Sequence, residues 1–243
     1  MDKQGRPFEE EWSYASVVGM LLYLVNTRPD IQMAVNSCAR FSHSPKASHA
    51  EGIKRICRYL RKTKDRGLVF RPYQGDLQVD CYVDSDFCGL FGVEDPEDPV
   101  SSRSRTGFVI YLGHCPVHWA SKLQPLATLS TAEAEYVALA EAMKTLLPVR
   151  RIALAVAKGL SLKLNNSRVI SKVFEDNQSC IAMARAPALS SRTRTSMRDI
   201  ISSNSTLDKR QESSCSTCQV SITWRTLLLS RWDQRSSFTT QCD

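Results

Sequence analysis

Apolar positions recur at helical spacing over the first sixty residues and at strand spacing soon afterwards. Tyr14, Val17, Val18, Leu21, Leu22, Leu24 and Val25 form a helix-like stripe. The Arg28-Pro29 bond ends it, because proline disfavours a helical conformation in the residue before it. A second helix is predicted to start at Pro29, carry Ile31, Met33, Ala34 and Cys38, and stop near Ser42–Pro45. A third runs over about Lys46–Arg61, with Ala50, Ile53, Ile56, Cys57 and Leu60 on one face. Its other positions include Lys54, Arg55, Arg58, Arg61 and Lys62, a basic stripe. That stripe reads first as a solvated face and alternatively as a contact for phosphate groups.

From Leu77 the period falls to two. Leu77, Val79, Cys81 and Val83 alternate with Gln78, Asp80, Tyr82 and Asp84, which predicts a strand. An acidic, proline-punctuated loop, Glu94–Pro99, follows. Thr106–Leu112 and Val117–Ala120 then flank Gly113-His114-Cys115-Pro116 as a hairpin. A long helix is predicted over about Thr131–Leu147, opened by Ser130 and Glu133 in a capping-box relation. Pro148 permits a break, with Val149–Lys158 as a second helical piece. Arg168–Phe174 reads as another strand and Ser179–Ala184 as a short helix. Three strands, a helix, a strand and a helix make an α/β layer. Beyond Ala186 the pattern stops. Residues 187–243 lack glycine, are crowded with Ser and Thr, and hold one apolar patch at Trp224 and Leu227–Leu229. This tail reads as poorly folded.

Composition narrows the class. The chain has 243 residues, 42% hydrophobic and 23% charged, enough to bury a core and too apolar for a wholly disordered chain. Its longest apolar runs, Val17–Val25 and Ile152–Ala157, fall short of the ~20 residues a membrane-spanning helix needs. The opening MDKQGRPFEEEW lacks a signal peptide's apolar stretch, so an intracellular protein with no membrane partner is expected. A net charge of +7 mildly favours polyanionic partners. Nine scattered cysteines read as reduced thiols, and Cys215 and Cys218 have no second pair or nearby His with which to make a zinc site.

Three carboxylates stand where burial makes charge costly. Asp84 ends the first predicted strand, and Asp176 sits where the Val173-Phe174 strand meets the next helix. Glu135 shares a helix stripe with Leu139, Ala142 and Leu146, whereas Glu133 belongs to the capping turn. Such groups need partners, and divalent cations are common ones. Two Mg²⁺ ions about 4 Å apart can activate water and stabilise the leaving oxygen of a phosphodiester. Each residue also has a plainer role open to it. Asp84 could form a turn with Ser85, Glu135 could snorkel past its neighbours, and Asp176 could cap a helix.

Taken in order, strand-Asp, hairpin, helix-Glu and strand-Asp resemble the ribonuclease H fold. The local segments resemble the RNase H region of copia-type LTR-retrotransposon Pol polyproteins. YVDSDFCG is similar to that family's S-D-A-D-W-A-G, and VFEDNQSCIAMA to its C-D-N-Q-S-A-I-x-L-A. SSRSRTGFVIYLGHCPVHWASKLQPLATLSTAEAEYVALAEA is similar to its R-K-S-T-S-G-Y…W-x-S-K-K-Q…S-S-T-E-A-E-Y-x-A. Upstream, the segment from YASVVGMLLYLVNTRPD to KTKDRGLVF looks like the family's link from the reverse-transcriptase thumb to RNase H. The resemblance covers roughly residues 13–190.

The resemblance implies an RNase H-like mixed sheet, with strands one to three antiparallel and strand four parallel to strand one. It divides the chain into a polar segment (1–12), a helical thumb/connection-like segment (13–72), an RNase H-like domain (75–186) and the tail (187–243). Asp84, Glu135 and Asp176 would then be the catalytic carboxylates and ligands of Mg²⁺, with Mn²⁺ as the alternative ion. The implied reaction is endonucleolytic cleavage of the RNA strand of an RNA–DNA hybrid, with the remainder of a Pol polyprotein as partner. A Y-x-D-D-type polymerase site is absent from the sequence, so copying RNA into DNA is not expected.

The tail departs from the family. A fourth carboxylate, in an L-A-D-x-x-T-K segment after a T-K-H-I-D-V-R-Y-H-like strand, is missing. Read from the third base of each codon, Thr195–Ile201 permits I-N-A-R-Y-H. In the same offset, Thr223–Trp232 permits L-A-D followed by a T/S-K-P-L segment. A frameshift near residues 190–195 would account for both, and would leave the last strand and helix missing or irregular. Two other outcomes compete with an impaired nuclease: an inactive nucleic-acid-binding remnant and a pseudogene product without a biochemical role.

Overall fold

The computed structural model describes residues 5–70, 77–91, 94, 97–161, 170–185 and 207–208. Three helices come first: α1 (Tyr14–Leu24), α2 (Gln32–Ala39), entered through a 3₁₀ turn at Pro29–Ile31, and α3 (Ala47–Lys62). The Ser13 hydroxyl caps α1 by accepting from the Ser16 N–H at 3.3 Å. Tyr14, Val18 and Leu21 of α1 pack with Ile31, Val35, Cys38, Ile53 and Ile56 as one hydrophobic cluster. The Tyr14 hydroxyl crosses it to donate to the Cys38 carbonyl at 2.9 Å.

A five-stranded sheet follows, in the order β3-β2-β1-β4-β5. Its strands are β1 (Gln78–Asp86), β2 (Arg105–Leu112), β3 (Cys115–Leu123), β4 (Ile170–Phe174) and β5 (Leu207–Asp208). β1 to β3 run antiparallel, while β4 lies parallel to β1 with Tyr82 opposite Phe174. The helices α4 (Thr131–Gly159) and α5 (Gln178–Arg185) complete the layer. Val79, Cys81, Val83, Phe108, Ile110 and Val173 of the sheet bury against Ala138, Leu139, Ala142, Met143 and Leu146 of α4 and Cys180 of α5. A mixed sheet flanked by helices is consistent with an RNase H-like α/β fold, as the order of elements implied. Leu139 is 1% exposed at the centre of this cluster. Leu139→Ala should cost about 3 kcal/mol and lower the melting temperature by roughly 10 °C in a thermal melt followed by circular dichroism.

The three-helix cluster is tied to the sheet along β3. The Trp119 indole donates to the Val25 carbonyl at 3.1 Å, and the Asn36 amide donates to the Ser121 carbonyl at 2.6 Å. Arg40 grips Glu94 with two bonds of 2.8 and 2.9 Å.

Three elements differ from the sequence reading. Pro148 does not break its helix, and α4 runs as one 29-residue helix through it. Pro148 and Lys144 are both exposed, so the carbonyl that loses its intrahelical donor lies on the solvent side. The hairpin turn is shorter than predicted: Cys115 and Pro116 already pair with Leu112 and Tyr111. Gly113, at φ 60°, makes that tight turn, and a bulge between Ile110 and Tyr111 absorbs the change of register. Within the stretch read as patternless, Leu207 and Asp208 pair parallel with Val173 and Phe174. Pairing at a sheet edge uses backbone groups, which leave no mark on side-chain periodicity. The segments 195–201 and 223–232, Cys215, Cys218 and Arg168 lie outside the described residues.

Candidate metal centre

Parallel pairing of β1 and β4 sets the first two carboxylates. Tyr82 faces Phe174 in the ladder, and two residues further on each strand lead to Asp84 and Asp176. Both acids therefore lie at the carboxyl ends of neighbouring parallel strands. Across β2 the partner of Asp84 is Gly107, which places no side chain over it. The third acid comes from α4. Ser130 caps this helix by accepting from the Glu133 N–H at 3.2 Å, and the Glu133 carboxylate accepts from the Leu129 N–H at 2.7 Å. The cap sets the helix phase, with Glu133 exposed and Glu135 on the stripe of Leu139, Ala142 and Leu146 that packs on the sheet.

One carboxylate oxygen from each of Asp84, Glu135 and Asp176 falls within 4.8 Å of the others. Glu135 is 7% exposed, and its Oε2 has no hydrogen-bond partner among the described residues. Burial, then the charges of Glu175, Asp84 and Asp176, push its carboxyl up to about 9. Three acids drawn together from two strand ends and a buried helix face repel one another, and a cation relieves that repulsion. The donors are all carboxylate oxygens, which suit a hard divalent ion such as Mg²⁺ rather than zinc or copper. With an orphaned buried oxygen pointing to a missing partner, the residues present fit that ion.

Sequence reasoning missed one residue. Glu175, next to Asp176, is 1% exposed, and burial is the largest cause that pushes its carboxyl up to about 7. Strand parity was the available signal: Ser171 and Val173 of β4 face inward, and Glu175 continues their alternation. Nearby, the turn after β1 is tight. Cys88 has φ 48°, and a side chain on Gly89 would run into the Asp86 carboxylate.

The basic stripe lies elsewhere. Lys54, Arg55, Arg58, Arg61 and Lys62 are exposed on α3, which packs chiefly on α1 and α2. Lys54 pairs with Glu10 at 2.6 Å and Arg58 with Glu51 at 3.4 Å, so part of its charge is already matched. None of the described helices is long and apolar enough to cross a membrane.

No protein-family model matches the chain. Among curated proteins it is similar to the Retrovirus-related Pol polyprotein from transposon RE1 of Arabidopsis thaliana, 39% identical over 132 residues. That match covers 54% of this chain and 8% of the relative. It is also similar to the corresponding polyprotein from transposon TNT 1-94 of Nicotiana tabacum, 34% identical over 182 residues, 74% of this chain and 12% of the relative. The chain thus spans about a tenth of these relatives or less. A solved N-terminal RNase H domain from Mycobacterium tuberculosis, fused to maltose-binding protein, aligns at 12% identity and a TM-score of 0.32 over 56% of this chain and 84% of that one. Sequence similarity, together with a mixed sheet that carries three clustered acids, gives the chain a family-level resemblance to copia-type LTR-retrotransposon Pol polyproteins.

Proposed function

We propose that this chain is the RNase H-like part of a retrotransposon reverse transcriptase, acting on the RNA strand of RNA–DNA hybrids and impaired by its C-terminal sequence. The observation that carries the reading is the approach of Asp84, Glu135 and Asp176 to within 4.8 Å. The motif segments of residues 13–190 and the Pol polyprotein relatives support it. Within it, residues 13–72 serve as the thumb/connection-like segment and residues 75–186 as the nuclease domain, beside the rest of a Pol polyprotein inside the cell.

Asp84 and Asp176, at the strand ends, and Glu135, on the helix side, are the residues that would hold the cation. Mg²⁺, or Mn²⁺ in its place, would supply an activated water and charge stabilisation at the leaving oxygen. Packing of α4 on β1 and β2 keeps the Glu135 carboxylate in place without a hydrogen bond of its own at Oε2. A second reading, a non-catalytic hybrid-binding remnant, is favoured by the exposed basic face of α3. It predicts hybrid binding in EDTA that weakens when Arg55, Arg58 and Arg61 are replaced by Gln.

The test of the nuclease reading is cleavage of a labelled RNA–DNA hybrid by the chain with its tail translated in the offset frame. Asp84→Asn and Glu135→Gln keep shape and remove charge, so each should lower the Mg²⁺-dependent rate by at least ~100-fold. Cleavage that survives both substitutions would place the reaction elsewhere.

A further inference from the structure

We propose that Gln124 is a positioning residue of the cation centre, its side-chain amide clamping the first turn of α4 onto β2 so that Glu135 is held within reach of Asp84. The inference rests on the reading of Asp84, Glu135 and Asp176 as a cation site, and names the residue that fixes the helix-borne acid.

Gln124 directly follows β3 and is 2% exposed. Its backbone N–H donates to the Ser104 carbonyl, just ahead of β2, at 2.8 Å. Its side-chain Nε2 donates twice, to the Thr106 Oγ1 at 3.2 Å and to the Ala134 carbonyl at 2.9 Å. A primary amide carries two N–H bonds on one nitrogen, so a single group serves both acceptors. Ala134 immediately precedes Glu135 in α4. Thr106 immediately precedes Gly107, whose partner in the β1–β2 ladder is Asp84. The Gln124 amide is therefore a direct bridge between the strand pair that carries Asp84 and the helix that carries Glu135.

The remaining contacts at this end of α4 hold it less firmly. The cap made by Ser130 and Glu133 bonds only to residues beside the helix start, so it shapes the first turn without tying it to the sheet. The buried positions of α4 begin with the small Ala134 and Ala138, and the larger Leu139, Met143 and Leu146 come later. Apolar contact between small groups is not directional, so it permits the helix end to slide or turn. A hydrogen bond sets both distance and direction. The Gln124 Oε1, by contrast, is buried without a hydrogen-bond partner among the described residues. That orphan offsets what the two Nε2 bonds contribute to stability, which leaves position as the chief effect of the amide.

The experiment is a Mn²⁺ titration of the full chain, followed by electron paramagnetic resonance well below the melting temperature, alongside thermal melts in EDTA. Gln124→Met keeps the side-chain length and removes both bonds. It should weaken Mn²⁺ binding by about tenfold, while melting within about 5 °C of the unsubstituted chain. Thr106→Val removes the strand-side bond alone and leaves the grip on the Ala134 carbonyl, so its affinity should fall much less. Lower melting of Gln124→Met with unchanged Mn²⁺ affinity would show a merely structural amide and overturn the inference. Equal losses of affinity in Gln124→Met and Thr106→Val would trace the effect to general loosening of the buried polar groups and overturn it too. Should Gln124→Met not fold, Gln124→Asn keeps an amide one methylene too short to span both acceptors, and unchanged affinity there is equally fatal. Asp84→Asn separates the two claims. If it leaves Mn²⁺ affinity unchanged, the cation site itself fails and the inference with it. If affinity falls in Asp84→Asn but not in the Gln124 variants, the role of Gln124 alone is refuted.

Discussion

Translating the tail in the offset frame from about residue 192 should raise Mg²⁺-dependent hybrid cleavage at least ~100-fold over the chain as written. The argument starts from what is already in place. Asp84, Glu135 and Asp176 have carboxylate oxygens within 4.8 Å of one another, positioned by the sheet and by α4 packed on it. The proposed defect therefore lies beyond them, in the missing L-A-D carboxylate and the strand and helix that would carry it. Electrostatic stabilisation at a reacting phosphate is commonly worth two or more orders of magnitude for a single well-placed group. Cation binding and cleavage should accordingly separate, with the unrepaired chain binding Mn²⁺ yet cutting poorly. A rate assay on the two versions with one labelled hybrid decides the matter. Robust cleavage by the unrepaired chain would mean that the acids present suffice and that the tail is not disabling.

How much of this could be read from the sequence depends on which interaction sets each residue. Glu135 was separable from Glu133 because a helix stripe and a cap have different periods and positions, and both were visible in TAEAEYVALAEA. Asp84 and Asp176 stood out as acids ending apolar strand patterns. Their meeting was not visible in those patterns. It depends on the parallel register of β1 against β4 across some ninety intervening residues, and only the order of motifs suggested it. Glu175 escapes the sequence pattern because the apolar alternation stops at Phe174, although the inward parity of β4 runs one residue further. Pro148 misled for a different reason: a proline costs a helix one bond, and an exposed site lets water replace it. Leu207 and Asp208 pair through backbone groups, which composition does not record.

In EDTA the melting temperature should fall by roughly 5–10 °C between pH 6 and 8.5, and saturating Mg²⁺ should remove most of that fall. The sign follows from two carboxyls held above their ordinary range. Burial and the neighbouring acids push Glu135 up to about 9, and burial is the main cause that pushes Glu175 up to about 7. An unfolded chain releases both protons near pH 4.5, so above that pH the folded state holds more protons than the unfolded one. Their contribution to stability is complete below about 4.5 and is lost as pH rises, through about 7 for Glu175 and about 9 for Glu135. Other groups act mostly outside this window. Asp30 and Glu141, whose carboxyls are lowered by Arg28 and Lys122 among their causes, lose stability only as pH falls below the carboxylate range. His118, whose imidazole burial holds below its ordinary range, contributes the opposite slope only up to about pH 6.5, so it offsets the fall at the start of the window alone. On the proposed reading Mg²⁺ would bind the deprotonated acids, displacing the protons and supplying the stabilisation they had provided. Glu135→Gln removes the main titrating group and should flatten the EDTA profile. A fall that persists in Glu135→Gln, or that Mg²⁺ leaves untouched, would mean that the clustered acids do not govern it.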